Sequence, residues 1–146
     1  MKNLLAVIVL TIVSGGSFGQ KQNDLVTVSI TVSDIPDKKS NIYVGFYTAE
    51  NDFPKHGKHA FRKVVEANGT SSITVTWSDI PKGEYAIAVY QDLNNNDKLE
   101  TGFMGMPKEP AGLSTNLKPG LFNIPNFKKC KVSLANGSHL NIALRP

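Results

Sequence analysis

A chain of 146 residues with 40% apolar and 19% charged side chains is long enough for one domain with its own core and too apolar to stay disordered. Its net charge of +4 comes from scattered lysines, with no basic run interleaved with stacking aromatics, which leaves no nucleic-acid footprint. The only cysteine, Cys130, excludes an internal disulfide, so stability has to come from packing.

The first residues have the form of a secretory leader. Met1-Lys2-Asn3 is a short positive start, and Leu4 to Val13 (LLAVIVLTIV) is an apolar stretch too short to span a bilayer. Ser17 and Gly19 then place small side chains at the −3 and −1 positions of a cut before Gln20. An N-terminal core strand is the competing reading. The expected mature chain, 20–146, is exported to the periplasm or beyond the cell and carries no transmembrane segment.

From there the dominant signal is alternation with period two. Val26, Val28, Ile30 and Val32 alternate with Thr27, Ser29, Thr31 and Ser33, as in a half-buried strand. Ile42, Val44 and Phe46 form the next strand, with Tyr43, Gly45 and Tyr47 on its other face. Gly45 in mid-strand suggests a bulge or a close backbone approach. Residues 49–60 read as a loop and Phe61 to Ala67 as a weaker strand, followed by an Asn68-Gly69 turn. Ile73, Val75 and Trp77 alternate cleanly with Ser72, Thr74 and Thr76. After the tight Asp79 to Gly83 connection, Glu84 to Gln91 (EYAIAVYQ) is apolar on both faces, as in a central strand.

A long loop is expected from Asp92 to about Phe127. Lys129 to Leu134 and Leu140 to Leu144 then close the chain around the Ala135 to Ser138 turn. Cys130 shares strand parity with Val132 and Leu134, which predicts a buried thiol rather than a reactive one. No stretch has ten residues of helical periodicity. Seven strands and one long loop predict an antiparallel β-sandwich in a single domain, 20–146, with a small barrel as the alternative.

The loop from Asp92 to Asn116, DLNNNDKLETGFMGMPKEPAGLSTN, carries the most chemistry. Counted from Asp92, oxygen-bearing side chains recur at alternate positions in Asp92, Asn94 and Asn96. Lys98 then offers a backbone carbonyl, Glu100 follows, and Glu109 lies where the chain could fold back. Calcium takes several hard oxygens at about 2.3–2.6 Å, and such a run supplies them. Two features depart from a helical calcium loop: Asp97 stands where glycine is preferred, and Phe103 where a bidentate Glu is expected. With so few carboxylates, the affinity expected is about 10⁻⁴–10⁻³ M, enough to staple a loop. An Asn-rich run also closes on itself through Asx turns with no metal; both readings stand.

The stretch GEYAIAVYQDLNNNDKLETGFMGMPKEPAGLSTN, with PNFKKCKVSL after it, resembles an exported bacterial family known only as domain of unknown function 2141. The resemblance rests on Gly83, Tyr85, Ala86, Asp92, Asn94, Asn96, Gly105, Pro107, Glu109, Gly112, Ser114, Asn116, Pro125 and Phe127. It is close from about Ile80 to Leu144 and looser upstream. The chain departs from the family pattern at Asp97, where glycine is usual, at Leu113, where an aromatic is common, and at Gln91, where histidine often precedes the Asp. What the resemblance implies is an exported β-sandwich of prealbumin-like or immunoglobulin-like type with no assigned activity.

Catalytic sets are weak. Ser114 lacks a nucleophile elbow and a placeable His/Asp pair. Asp92, Asp97, Glu100 and Glu109 could pair two carboxylates for glycosidase-type chemistry. His56 and His59, near Asp52, lack a clear third metal ligand, and His139 is expected at the surface. Three functions therefore compete. The preferred one is a non-catalytic binding or accessory module for a protein or glycan outside the cytoplasm, with the calcium-stapled loop, Tyr90, Phe103 and Met104 forming its recognition surface. The others are a hydrolase using loop carboxylates, and an envelope component that pairs through an edge strand such as Val26–Val32.

Overall fold

The computed structural model describes residues 24–103, 106–120 and 123–146; the expected leader and Met104 and Gly105 of the long loop lie outside them. The described residues form eight strands, β1 (Leu25–Ser33), β2 (Asn41–Tyr47), β3 (Phe61–Glu66), β4 (Ile73–Pro81), β5 (Gly83–Asp92), β6 (Ala111–Leu113), β7 (Lys131–Leu134) and β8 (Ser138–Ala143), and one helical turn, α1 (Phe127–Cys130). No helix among them is long and apolar enough to cross a membrane.

Two sheets face each other. One has the order β4-β1-β8, and the other β3-β2-β5-β6 with β7 also on β5. β6 and β7 share one side of β5: β7 pairs with Gly83 to Ala86 and β6 with Ala88 to Tyr90. Between the sheets lie the alternating apolar residues of the sequence pattern: Val28, Ile30 and Val32 from β1, Val44 and Phe46 from β2, and Trp77, Ile87 and Ile142 from their partners. Each side chain of this size contributes about 1.5–3 kcal/mol by leaving water. Phe46 meets Trp77 edge to face at 4.8 Å, the geometry an aromatic quadrupole favours.

The all-β sandwich is therefore the fold, and the barrel alternative falls because the sheets stay separate. Four details of the expectation change. There are eight strands rather than seven, because β6 lies inside the expected long loop. Not every pair is antiparallel, since β1 runs parallel to β8. β7 and β8 are not a hairpin, because the Asn136-Gly137 turn carries the chain from one sheet to the other. Val26–Val32 is no edge either: β1 is hydrogen-bonded to β4 on one side and β8 on the other.

The middle strands of the five-stranded sheet, β2 and β5, are largely buried on both faces. On β2, Ile42, Val44 and Phe46 point into the core, while Tyr43 and Tyr47 on the opposite face are also buried. That outer face is covered by residues of the 49–60 loop and by described residues of the segment between Asp92 and α1, Leu99, Met106 and Leu117 among them. At one end a satellite cluster of Tyr47, Phe53, Ala86, Leu113 and Cys130 seals it. Cys130 is a buried free thiol, as expected, although it ends α1 instead of lying in a strand, and burial pushes its pKa up.

Candidate functional site

The outer face of β2 and β5 is built in cross-strand rows. Register places Arg62, Gly45, Ala88 and Leu113 side by side across β3, β2, β5 and β6. The adjacent row is Val64, Tyr43, Tyr90 and Ala111. Two small residues thus sit beside two tyrosines, and the difference in side-chain height leaves a trough. No register shift occurs at Gly45, so its role is neither a bulge nor a tight approach. A Cβ there would meet Tyr47 at 3.4 Å and the His59 Cβ at 3.5 Å, which is ordinary contact.

Over this floor stands a partly enclosed, mainly apolar cleft of about 610 Å³, lined by Pro54 and His59 of the 49–60 loop and by Leu99, Met106 and Leu117 of the long loop. That volume is in the range of drug-sized ligand sites. Tyr43 and Tyr90 stack at 4.7 Å and 7°, and the Arg62 guanidinium lies over the Tyr43 ring at 4.5 Å, a cation–π contact. Desolvation, helped by the Asp97 carboxylate, pushes the Tyr43 phenol up to about 12. Burial likewise raises Tyr90. Both are neutral hydroxyls at physiological pH. His59 lines the cleft with its ring edge-on to Tyr47; desolvation, with Arg62 and His56 nearby, lowers its pKa from 6.5.

The loop holding the expected calcium residues forms the adjoining wall. Asp92 is fully buried and its carboxylate accepts the backbone N–H of Asn96 at 3.2 Å and of Asp97 at 2.8 Å. Asn94 accepts from Asn96 N–H, and Asn96 from Lys98 N–H. Asn95 and Asp97 take left-handed φ of 57° and 64°, a region that Asn and Asp enter more readily than most residues. The Asn94 and Asn96 amides both donate to Glu100. Asp97 accepts the Tyr43 hydroxyl and its carbonyl accepts that of Tyr90 at 3.2 Å, so loop and cleft floor share partners.

Glu109 lies beneath, only 4% exposed. Its two oxygens accept Leu93 N–H at 2.9 Å and Glu100 N–H at 3.2 Å, which joins the two ends of the loop. Burial raises the Glu109 pKa, whereas the Asn94 hydrogen bond leads in lowering that of Glu100. The set of Asp92, Asn94, Asn96 and Glu100 oxygens, with the Lys98 carbonyl, fits a calcium ion in donor type: both Asn amides fall on Glu100 Oε1, which leaves Oε2, and the Asn94 and Asn96 oxygens, each accepting one N–H, keep a second lone pair. No group of three or more His, Cys, Asp or Glu side chains able to hold a metal occurs among the described residues, and His56 and His59 form no such centre.

Residues expected elsewhere prove to be framework. The Ser114 hydroxyl donates to the Cys130 carbonyl and accepts Ile87 N–H at 3.0 Å, filling the gap in the β5 ladder between β7 and β6. Asn116 clips the loop to β8 through Asn141 and Ala143. Of the expected recognition surface, Tyr90 is in the cleft, whereas Phe103 is 88% exposed. The cleft itself was missed. Its sequence signal was the outward set of Tyr43, Gly45 and Tyr47 facing Ala86, Ala88 and Tyr90: too apolar for a solvated face and too small in the middle to fill one.

No curated protein and no solved structure matches the chain. A family model described as an uncharacterized protein conserved in bacteria (DUF2141) matches residues 30–142. Of the residues behind the earlier resemblance, Glu109, Gly112, Ser114 and Asn116 tie the long loop down, while Tyr85 lies in the core and donates to the Pro81 carbonyl at the β4–β5 connection. The chain belongs to this uncharacterised bacterial family.

Proposed function

We propose that the protein is an exported binding module that holds a small molecule in the cleft on the outer face of its five-stranded sheet. The observation that carries this reading is the 610 Å³ apolar cleft floored by the Gly45–Ala88 trough. A soluble sandwich gains nothing in stability from leaving such a face unfilled, and a rigid floor with polar groups at its rim is the usual form of a ligand site. The apolar wall favours an apolar ligand over a glycan, whose hydroxyls need partners that such a wall lacks. No Asp or Glu side chain lines the cleft among the described residues, which weighs against the hydrolase alternative.

Thermal melts of the mature chain from Gln20 across a panel of small molecules test the reading, with Gly45→Leu alongside. A ligand at 100 times its dissociation constant adds about 2.7 kcal/mol, several degrees for a domain of this size. Shifts are expected in the wild type and not in the variant that fills the trough. A panel that moves both proteins alike, or neither, sinks the proposal.

The adjoining loop is proposed to take Ca²⁺ weakly through Asp92, Asn94, Asn96, the Lys98 carbonyl and Glu100, with Glu109 bracing the loop from beneath. Bound there, the ion would order the wall of the cleft rather than react. Melts in EDTA and in millimolar calcium should differ for the wild type and coincide for Glu100→Ala. Coincident wild-type curves to ten millimolar, a level above the expected dissociation constant of about 10⁻³ M, would leave the loop a hydrogen-bonded turn.

A further inference from the structure

Granted that the cleft holds a small molecule, its charges select the class. Arg62 stands at the β3 end of the Gly45–Ala88 row, while Arg145 pairs with Ala111 beyond β6, and Lys118 approaches from the long loop. All three line the cleft, as do His56 and His59. The single ion pair among the described residues is Lys131–Glu84, so no side-chain carboxylate there pairs directly with Arg62, Lys118 or Arg145. Three cations on a mainly apolar wall create a potential that draws in anions, and the nearby Asp97 carboxylate is engaged by the Tyr43 hydroxyl. At the usual strand spacing of about 4.8 Å, the row from Arg62 to Leu113 runs about 14 Å. Its mouth also exposes large apolar side chains: Met106 is 41% and Ile124 59% exposed, and both line the cleft.

We propose that the cleft binds an amphipathic carboxylate, with an elongated apolar chain lying along the Gly45–Ala88 trough against Tyr43 and Tyr90 and its carboxylate on Arg62. Arg62 is favoured over Arg145 for the head group because its stacking on Tyr43 fixes the guanidinium plane before a ligand arrives. A guanidinium and a carboxylate make two parallel hydrogen bonds. The chain supplies affinity by leaving water, and the head group sets the orientation.

The test is displacement of anilinonaphthalenesulfonate fluorescence from the mature chain by dodecanoate, by dodecanol and by acetate. Dodecanoate should displace the dye at a concentration about tenfold below dodecanol, and acetate not at all; one charge-assisted hydrogen-bonded pair accounts for that ratio. Arg62→Gln should remove the advantage of dodecanoate and leave dodecanol unchanged. Gly45→Leu and Ala88→Leu, each checked by its melt to be folded, should abolish displacement. Equal midpoints for dodecanol and dodecanoate in the wild type overturn the anionic class while leaving the cleft a binding site. Displacement undiminished in both folded trough variants, or none by either long-chain compound, overturns the cleft itself.

Discussion

The residue that decides the long loop is Glu109. It is nearly out of contact with solvent, yet each of its oxygens accepts a backbone N–H, from Leu93 and from Glu100. Glutamine has the same shape but only one acceptor oxygen, so Glu109→Gln turns an NH₂ toward an N–H. That orphaned donor costs about 1–3 kcal/mol, read as a lower midpoint in urea at pH 7. The pH dependence has a definite sign. With its pKa raised by burial, Glu109 favours the folded state when protonated, and that contribution is lost as pH rises through the raised value. Glu100, lowered first by Asn94, contributes above its usual carboxylate range and loses its contribution as pH falls through the lowered value. The two oppose each other, so Glu109→Gln should expose the Glu100 limb and steepen the loss of stability in acid. An unchanged acid limb and an unchanged midpoint would remove Glu109 from this role. The oxygen spacing of Asp92, Asn94 and Asn96 was legible in the sequence. The brace was not, because sixteen residues separate Glu109 from Leu93 and nothing local signals the pairing.

Strands announced themselves to the degree that their two faces differ. β1 and the first part of β4 alternate apolar with Thr or Ser, and the alternation marks their inner face; β4 nevertheless runs on through Asp79 to Pro81, a stretch expected to be a turn. β6 is three residues, Ala-Gly-Leu, too short for any period. It exists because Gly112 lets its backbone lie against β8: a Cβ there would stand 2.6 Å from the Ala143 oxygen and 2.7 Å from the Ile142 Cγ2. Backbone cannot retreat as a flexible side chain can, so Gly112→Ala should cost about 1–3 kcal/mol. It should also loosen the Ala111–Arg145 pairing that closes one end of the cleft. Amide exchange at Ala111 and Arg145 checks this; protection equal to wild type would show that the contact yields without cost. The parallel β1–β8 pair was likewise invisible, since periodicity says which face is buried and nothing about which strand lies alongside.

At the scale of the whole molecule, what escaped the sequence is the site more than the fold. The cleft draws on β2, β3, β5, β6, two loops and the C-terminal residues, and only their assembly brings Arg62, Gly45, Ala88 and Leu113 into one row. The single clue, small outward residues between outward tyrosines, is meaningful only once a second layer of chain is known to cover that face.

The strand β5 presents Tyr85, Ile87 and Val89 to the core and Ala86, Ala88 and Tyr90 to the covered face. The ties that hold the covering loop, through Glu109, Gly112, Ser114 and Asn116, are made chiefly to backbone. The small residues of the trough, Gly45 and Ala88, and the Arg62 and Arg145 side chains that line the cleft are therefore separate from these ties. Selection can act on one set while sparing the other. Exchanges at positions 45, 62, 88 and 145 can therefore reshape the cleft without renegotiating the architecture beneath.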